Sequence, residues 1–313
     1  MRKGAGHTPP LGMPGRETSG PFGSSELQLS AWIAAFGRMS DAHPDMARIL
    51  RVIERLQDRP FRAHVVMYGE PGTGKEGLAR LLHRLMHPNG APQVRAHLAG
   101  CTSEEMLKQL FGPDTYKAGD GEVCSRFEDG LLSKAIGGSL LLDELLVMPL
   151  DVQRNVHEHL QSHRLGPDGG AALIAMTDGN LPQAVRAGQF RHDLAYRLMR
   201  IVLHVPPLRE RPQDIAQSTL WICNRILRSY SDDRPAEMVE PDAIANPPSD
   251  NAFCVEDGVL QLLKQHDWPG NFRELEAVLE RAVMLYSDGQ RLRTEDIQAA
   301  LGDGWPPVSF RKA

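Results

Sequence analysis

Two short stretches of this chain carry residue types that can do phosphate chemistry. The first, Gly69-Glu70-Pro71-Gly72-Thr73-Gly74-Lys75, fits the GxxxxGK core of a phosphate-binding loop. Its glycines let the backbone curl so that successive N–H groups point inward at phosphate oxygens. The start of the following helix adds partial positive charge, and Lys75 can reach the β- and γ-phosphates. The position after the lysine, ordinarily a Ser or Thr that ligates magnesium, is Glu76. The second stretch, Leu140-Leu141-Leu142-Asp143-Glu144, is an apolar run ending in two carboxylates. Asp143 can hold Mg²⁺ directly or through water, and Glu144 can orient and polarise an attacking water. Either string alone also reads blandly, as a glycine-rich strand-to-helix turn or a solvated strand end. Together, in this order, they predict a site for ATP or GTP with Mg²⁺.

The elements around them supply the context such a site needs. A β-prone run over 64–68 feeds directly into the glycine-rich turn, and 76–86 has helical apolar spacing through Leu78, Leu81, Leu82 and Leu85. Further strands are expected over 93–98, 139–142, 171–176 and 201–205, with helical stretches between them. Strands alternating with helices imply an α/β fold, a parallel sheet flanked by helices, which binds ligands at the carboxyl ends of its strands. Beyond Pro206-Pro207-Leu208 the strand signal stops, and 213–228, 255–266 and 273–286 read as amphipathic helices. The resulting division is a Gly-, Pro- and Ser-rich disordered lead-in (1–30), an α/β nucleotide-binding domain (31–210), an all-α C-terminal lid (211–301) with a Pro- and acid-rich connector over 235–251, and a loose tail (302–313).

Composition bounds the rest. At 313 residues, 41% hydrophobic and 24% charged, the chain has the make-up of a soluble globular protein. A net charge of −5 argues against a chain-wide grip on nucleic acid. No apolar run approaches the roughly 20 residues of a membrane span, and the basic Met1–Lys3 start is followed by Gly, Pro and Ser instead of an apolar leader segment. A cytoplasmic chain is expected, with Cys101, Cys124, Cys223 and Cys254 reduced and structural, since they form no CxxC pair. His159 and His163 have i, i+4 metal-ligand spacing, with His157 nearby. No carboxylate completes a site, so a helix surface or a subunit contact is the expected role.

From about Phe36 to Leu301 the chain resembles the AAA+ domain of bacterial enhancer-binding proteins, the activators of sigma-54 RNA polymerase. The resemblance rests on several stretches. Gly69 to Glu76 is similar to the family's P-loop, which also carries Glu after the lysine. Gly137 to Glu144, followed by Met148 to Gln153, looks like its Walker B strand and the helix after it. Phe190 to Leu198 and Pro206 to Pro212 are similar to its arginine-finger region and following junction. Trp268 to Glu276 resembles its sensor II helix.

The resemblance implies roles. Arg191 and Arg197 would be fingers that reach the γ-phosphate of a neighbouring subunit, which requires a ring, typically a hexamer. Arg273 would be sensor II, contacting nucleotide from the lid; otherwise it is a helix-face arginine paired with Glu276 or Glu280. Thr177 would be sensor I, followed by Asp178 where the family usually has Asn. Three further departures stand out. The GAFTGA loop that pushes on sigma-54 is missing between Gly112 and Gly130, His97 takes the place of the Asn that switches the Walker B glutamate, and no helix-turn-helix for DNA follows the lid. The implied function is ATP hydrolysis coupled to bacterial transcription regulation, in a homo-oligomeric ring or a mixed ring with a related AAA+ protein, with sigma-54 RNA polymerase as client. The alternative is a nucleotide-dependent oligomerising regulator or scaffold that does not contact sigma-54.

Overall fold

Short runs, apolar in all but the edge strand Gln93–His97, form a five-stranded parallel sheet: β1 (Val65–Tyr68), β2 (Gln93–His97), β3 (Ser139–Asp143), β4 (Ala172–Thr177) and β5 (Ile201–His204), in the order β2-β3-β4-β1-β5. The computed structural model describes residues 43–112, 130–165, 169–230, 236–239 and 252–302. The expected lead-in, the stretch read for the GAFTGA loop, Cys124 and the tail beyond Gly302 lie outside the described residues. All six residues of β4 are buried, as are the first four of β3. A strand covered on both faces has no solvated side to alternate with, which is why these runs are continuously apolar.

Helices cover both faces. On one, α1 (Pro44–Asp58) and α2 (Lys75–Met86) lay Met46, Ile49, Leu78 and Leu82 against Val65, Met67 and Ile174. On the other, α3 (Ser103–Phe111), the short α4 (Leu131–Lys134) and α5 (Leu150–Ser162) lead to α6 (Leu181–Arg186) and α7 (His192–Leu198); Leu110, Val152, Val156 and Leu194 pack there on Val66, Leu142 and Ala175. Val65 and Met67 belong to one core and Val66 to the other, the period-2 alternation of a strand. A capping box starts α3: Thr102 accepts from the Glu105 N–H, and Glu105 accepts from the Thr102 N–H.

A third core gathers Ile222, Leu263, Leu275, Leu279 and Ile297 from α8 (Asp214–Ser229), α9 (Asp257–Gln265), α10 (Asn271–Arg281) and α11 (Thr294–Gly302), with Trp268 between α9 and α10. Ala282–Tyr286 continues α10 as a π-helical turn. This lid is mainly helical, but the expectation of an all-α unit needs correction. Three short strands, β6 (Ala236–Val239), β7 (Phe253–Glu256) and β8 (Arg291–Leu292), pair in parallel in the order β6-β7-β8. The helix expected from 255 therefore begins only at Asp257. Strands of two to four residues are too short to show a period. Phe253 and Val255 extend because burial in the helical core rewards it. Among the described residues no helix is long and apolar enough to cross a membrane.

Candidate nucleotide site

β1 runs out at Tyr68 into the glycine-rich loop, and the Gly69 N–H donates to the Thr177 carbonyl (3.3 Å), tying the loop to the end of β4. Gly72 (φ +77°) and Gly74 (φ +97°) take left-handed backbone that side chains resist. A Cβ at Gly72 would also fall 2.4 Å from the Gly270 carbonyl, so the lid itself excludes a side chain there. Thr73 is buried and donates to the Glu70 carbonyl (2.9 Å). The left-handed Gly74 opens α2, and the next residue is Lys75. Its ammonium, largely buried, donates to the carbonyls of Gly69 (2.6 Å) and Glu70 (2.8 Å) and to the Asp178 carboxylate (2.7 Å).

β3 delivers its acids to the same edge. His97 of β2 lies in register with Asp143, and its ring nitrogen stands 3.6 Å from the Asp143 carboxylate. Glu144 sits in left-handed backbone (φ 54°, ψ 54°), after which the chain turns into the 3₁₀ segment Leu145–Val147. A non-glycine residue held there is strained by about 1 kcal/mol or more, a kind of outlier that clusters at functional sites. Arg95 of β2 bridges Glu76 (2.7 Å) and Asp143 (3.0 Å). Two carboxylates that already share one cationic centre make an oxygen donor set of the sort a hard divalent cation takes, so Asp143, with Glu76 beside it, fits Mg²⁺.

The lid closes on the loop from above. The Phe272 N–H donates to the Gly72 carbonyl (3.0 Å). Fully buried Asn271, itself left-handed (φ 52°), donates to the Pro71 carbonyl (3.0 Å) and to Glu70 (3.2 Å), and accepts from the Leu208 N–H (2.7 Å). Arg209 grips Glu70 through both carboxylate oxygens, and these hydrogen bonds hold the Glu70 carboxyl below its ordinary range. Arg211, wholly buried, donates to the Thr73 carbonyl (2.8 Å) and lies over the Phe272 ring. Arg273 is exposed on α10, with its Cβ and Cγ against Gly72. Glu276, one of its alternative partners, is taken by Arg225.

The other residues singled out in the sequence fall differently. Thr177 is buried and its hydroxyl accepts from the Gly179 N–H (3.1 Å), so at the end of β4 it is Asp178 that meets Lys75. Arg191 and Arg197 lie on α7 and its N-cap. Arg191 chelates Asp193 (3.1 and 2.6 Å), which pulls the Asp193 carboxyl down to about 2. Arg197 donates to the Leu160 carbonyl and lines a cleft of about 660 Å³ with Arg62, His64, His163 and Arg200, where β1 and β5 begin rather than where they end. Buried Gln153 brackets this region: its amide donates to the carbonyls of Met148 (2.7 Å) and Gln189 (3.0 Å) and accepts from the Arg191 N–H (2.7 Å). His159 is buried, a correction to the surface role expected for it; its ring stacks on His163 at 4.2 Å, and burial pulls its pKa down to about 4. Sequence reasoning gave no role to Arg95, Gln153, Arg209 or Asn271. For Arg95 the available signal was position, near the carboxyl end of a strand of a parallel sheet, where ligand-facing groups collect, whereas Gln153, Arg209 and Asn271 lie within the motif stretches 148–153, 206–212 and 268–276.

A parallel sheet with a P-loop after β1, an acidic pair after β3 and a lid fastened to the loop defines the AAA+ class of P-loop ATPase folds. Comparison with known proteins narrows this. Residues 39–204 match the model of the Sigma-54 interaction domain and residues 244–307 that of an AAA+ ATPase lid domain. The chain belongs to the sigma-54 interaction domain family. It is 31% identical over 265 residues to the Nif-specific regulatory protein of Azospirillum brasilense, covering 82% of this chain and 38% of that protein. It is 32% identical over 270 residues to the transcriptional regulator NtrC of the same organism, covering 84% and 51%. The chain thus spans about half or less of the length of these relatives. Among solved structures, NtrX of Brucella abortus in complex with ATP superposes with a TM-score of 0.62 at 27% identity, covering 83% of this chain and 56% of that one. The same protein in complex with ADP gives 0.62 at 26%, covering 89% and 58%.

Proposed function

We infer that the chain is a cytoplasmic ATPase that binds ATP with Mg²⁺ between its α/β domain and its lid, hydrolyses it in a ring, typically a hexamer, and thereby regulates bacterial transcription through sigma-54 RNA polymerase. The observation that carries this is the convergence of Lys75, Asp143 and a backbone-strained Glu144 on one sheet edge, under a lid bonded to the loop. The loop from Gly69 to Glu76 cradles the phosphates, Lys75 balances their charge, and Glu144 orients the attacking water and takes its proton. Mg²⁺ held by Asp143 supplies charge neutralisation of the phosphates when bound. Arg273 faces the nucleotide from the lid, and Thr177 fixes the turn that presents Asp178.

Arg191 and Arg197 act on the neighbouring subunit's nucleotide. Within their own chain they are engaged with Asp193 and Leu160, away from Lys75. The ATPase rate against protein concentration tests this, with Arg191→Ala and Glu144→Gln as controls. Specific activity should climb steeply as the ring assembles, and each variant should lower it by at least about 100-fold. A chain without ATPase at any concentration, indifferent to Asp143→Ala, sinks the proposal. A second reading, an oligomerising regulator or scaffold whose assembly ATP controls without sigma-54 contact, is favoured by the absence of GAFTGA between Gly112 and Gly130. Trapping with ATP and a transition-state mimic separates the two: a sigma-54 complex supports the first, assembly alone the second.

A further inference from the structure

All three protons of the Lys75 ammonium are spent inside the chain: on the Gly69 carbonyl (2.6 Å), the Glu70 carbonyl (2.8 Å) and the Asp178 carboxylate (2.7 Å). Only the last partner is an anion. Asp178 follows Thr177 at the end of β4, and β4 lies between β1, which carries the phosphate loop, and β3, which carries Asp143 and Glu144. Its carboxylate therefore stands between the loop and the acidic strand end. That is the ground onto which a third phosphate extends from a loop that cradles the first two. A diphosphate ends inside the loop, and its β-phosphate can take Lys75 from the neutral carbonyls of Gly69 and Glu70 while the Asp178 bond remains. A triphosphate must take Lys75 from Asp178 and then lie beside the displaced carboxylate, with Asp143 and Glu144 adding charge of the same sign. The turn that carries Asp178 is tied down through Thr177: its hydroxyl accepts from the Gly179 N–H, and its carbonyl accepts from the Gly69 N–H.

We propose that Asp178 is an internal rival of the γ-phosphate for Lys75, so that this site binds a nucleoside diphosphate more tightly than the triphosphate. The inference rests on the nucleotide reading of the Lys75 loop. The ion pair is partly exposed, the Asp178 side chain being 50% accessible, which limits the discrimination to a factor of about five.

The test is equilibrium titration of the full chain with ADP and with a non-hydrolysable imido analogue of ATP, at fixed excess Mg²⁺, for wild type, Asp178→Asn and Asp178→Glu. Wild type should bind ADP about fivefold more tightly than the analogue. Asp178→Asn should bring the two dissociation constants to within about twofold of each other, chiefly by tightening the analogue, and Asp178→Glu, which keeps the charge, should retain the preference. Equal affinities in wild type, or an Asp178→Asn change that moves both constants by one factor, would overturn the proposal while leaving the nucleotide site intact. If neither ligand binds wild type or Asp178→Asn, both shown folded by circular dichroism, the nucleotide reading falls and this inference with it.

Discussion

Arg211 joins the lid to the phosphate loop through a charge with no access to water. Its guanidinium donates to the Thr73 carbonyl (2.8 Å) and stands 3.7 Å from the Asp214 carboxylate, which is 1% exposed. Its Nε has no partner among the described residues. Burial outweighs the attraction of Asp214 and pulls the guanidinium pKa down to about 10. The pair is therefore a poor source of stability as a pair, yet breaking it is costly, because the buried Asp214 carboxylate would lose the Arg211 charge and the Thr73 carbonyl the Arg211 hydrogen bond. Arg211→Met should destabilise the fold by about 3–5 kcal/mol, and Arg211→Met with Asp214→Leu by only about 1–2 kcal/mol, roughly the Thr73 hydrogen bond. For a chain of this size the single variant should lose about 10 °C in Tm. Urea titration of the two singles and the double, read as a double-mutant cycle, measures the coupling. A single variant costing less than about 1 kcal/mol, or a double costing more than the single, would refute the account of Arg211 as a buried charge that needs its counter-ion.

Acid should weaken the fold through its buried histidines. Burial pulls His64, His83 and His159 each from 6.5 to about 4, so the unfolded chain takes up protons that the folded chain refuses. Their contribution is whole above pH 6.5 and lost as pH falls toward 4, at about 1.4 kcal/mol per pH unit for each imidazole; urea midpoints at pH 7.5, 6 and 5 should fall accordingly. Gln153→Leu keeps the volume but strands the carbonyls of Met148 and Gln189 and the Arg191 N–H. A loss of about 2–3 kcal/mol in urea unfolding is expected, with ATPase reduced and nucleotide affinity unchanged, and an affinity that fell with the rate would refute a role confined to α7. Glu144→Gly should abolish hydrolysis and still stabilise the fold by about 0.5–1 kcal/mol, because glycine takes the left-handed backbone freely; a loss of stability would show that Glu144 is not strained.

The site was partly legible in the sequence because part of its chemistry is local. A strand, a glycine-rich turn and a lysine at the head of a helix follow one another within 65–86, and each step is demanded by its own residues: apolar Val65 to Met67, glycine where φ is positive, an amphipathic face from Leu78 to Met86. The acidic end of β3 is equally local, and so is the alternation that implied a parallel sheet. Strand register was another matter. Lys75 and Asp178 are 103 positions apart, Arg95 and Asp143 are 48, and Asn271 and Pro71 are 200. What brings each pair together is the order β2-β3-β4-β1-β5 and the docking of the lid, not any spacing along the chain. The same holds for the strands of the lid, where Ala236–Val239 and Phe253–Glu256 carry no period of their own and extend only because they pair and cover a helical core. The sequence by itself determined which residues could bind phosphate, since glycine's freedom and an apolar run are properties of a few neighbouring residues. Only the tertiary structure decided which charges face one another there, because ion pairing depends on distance in space, and the packing of strands and lid sets that distance.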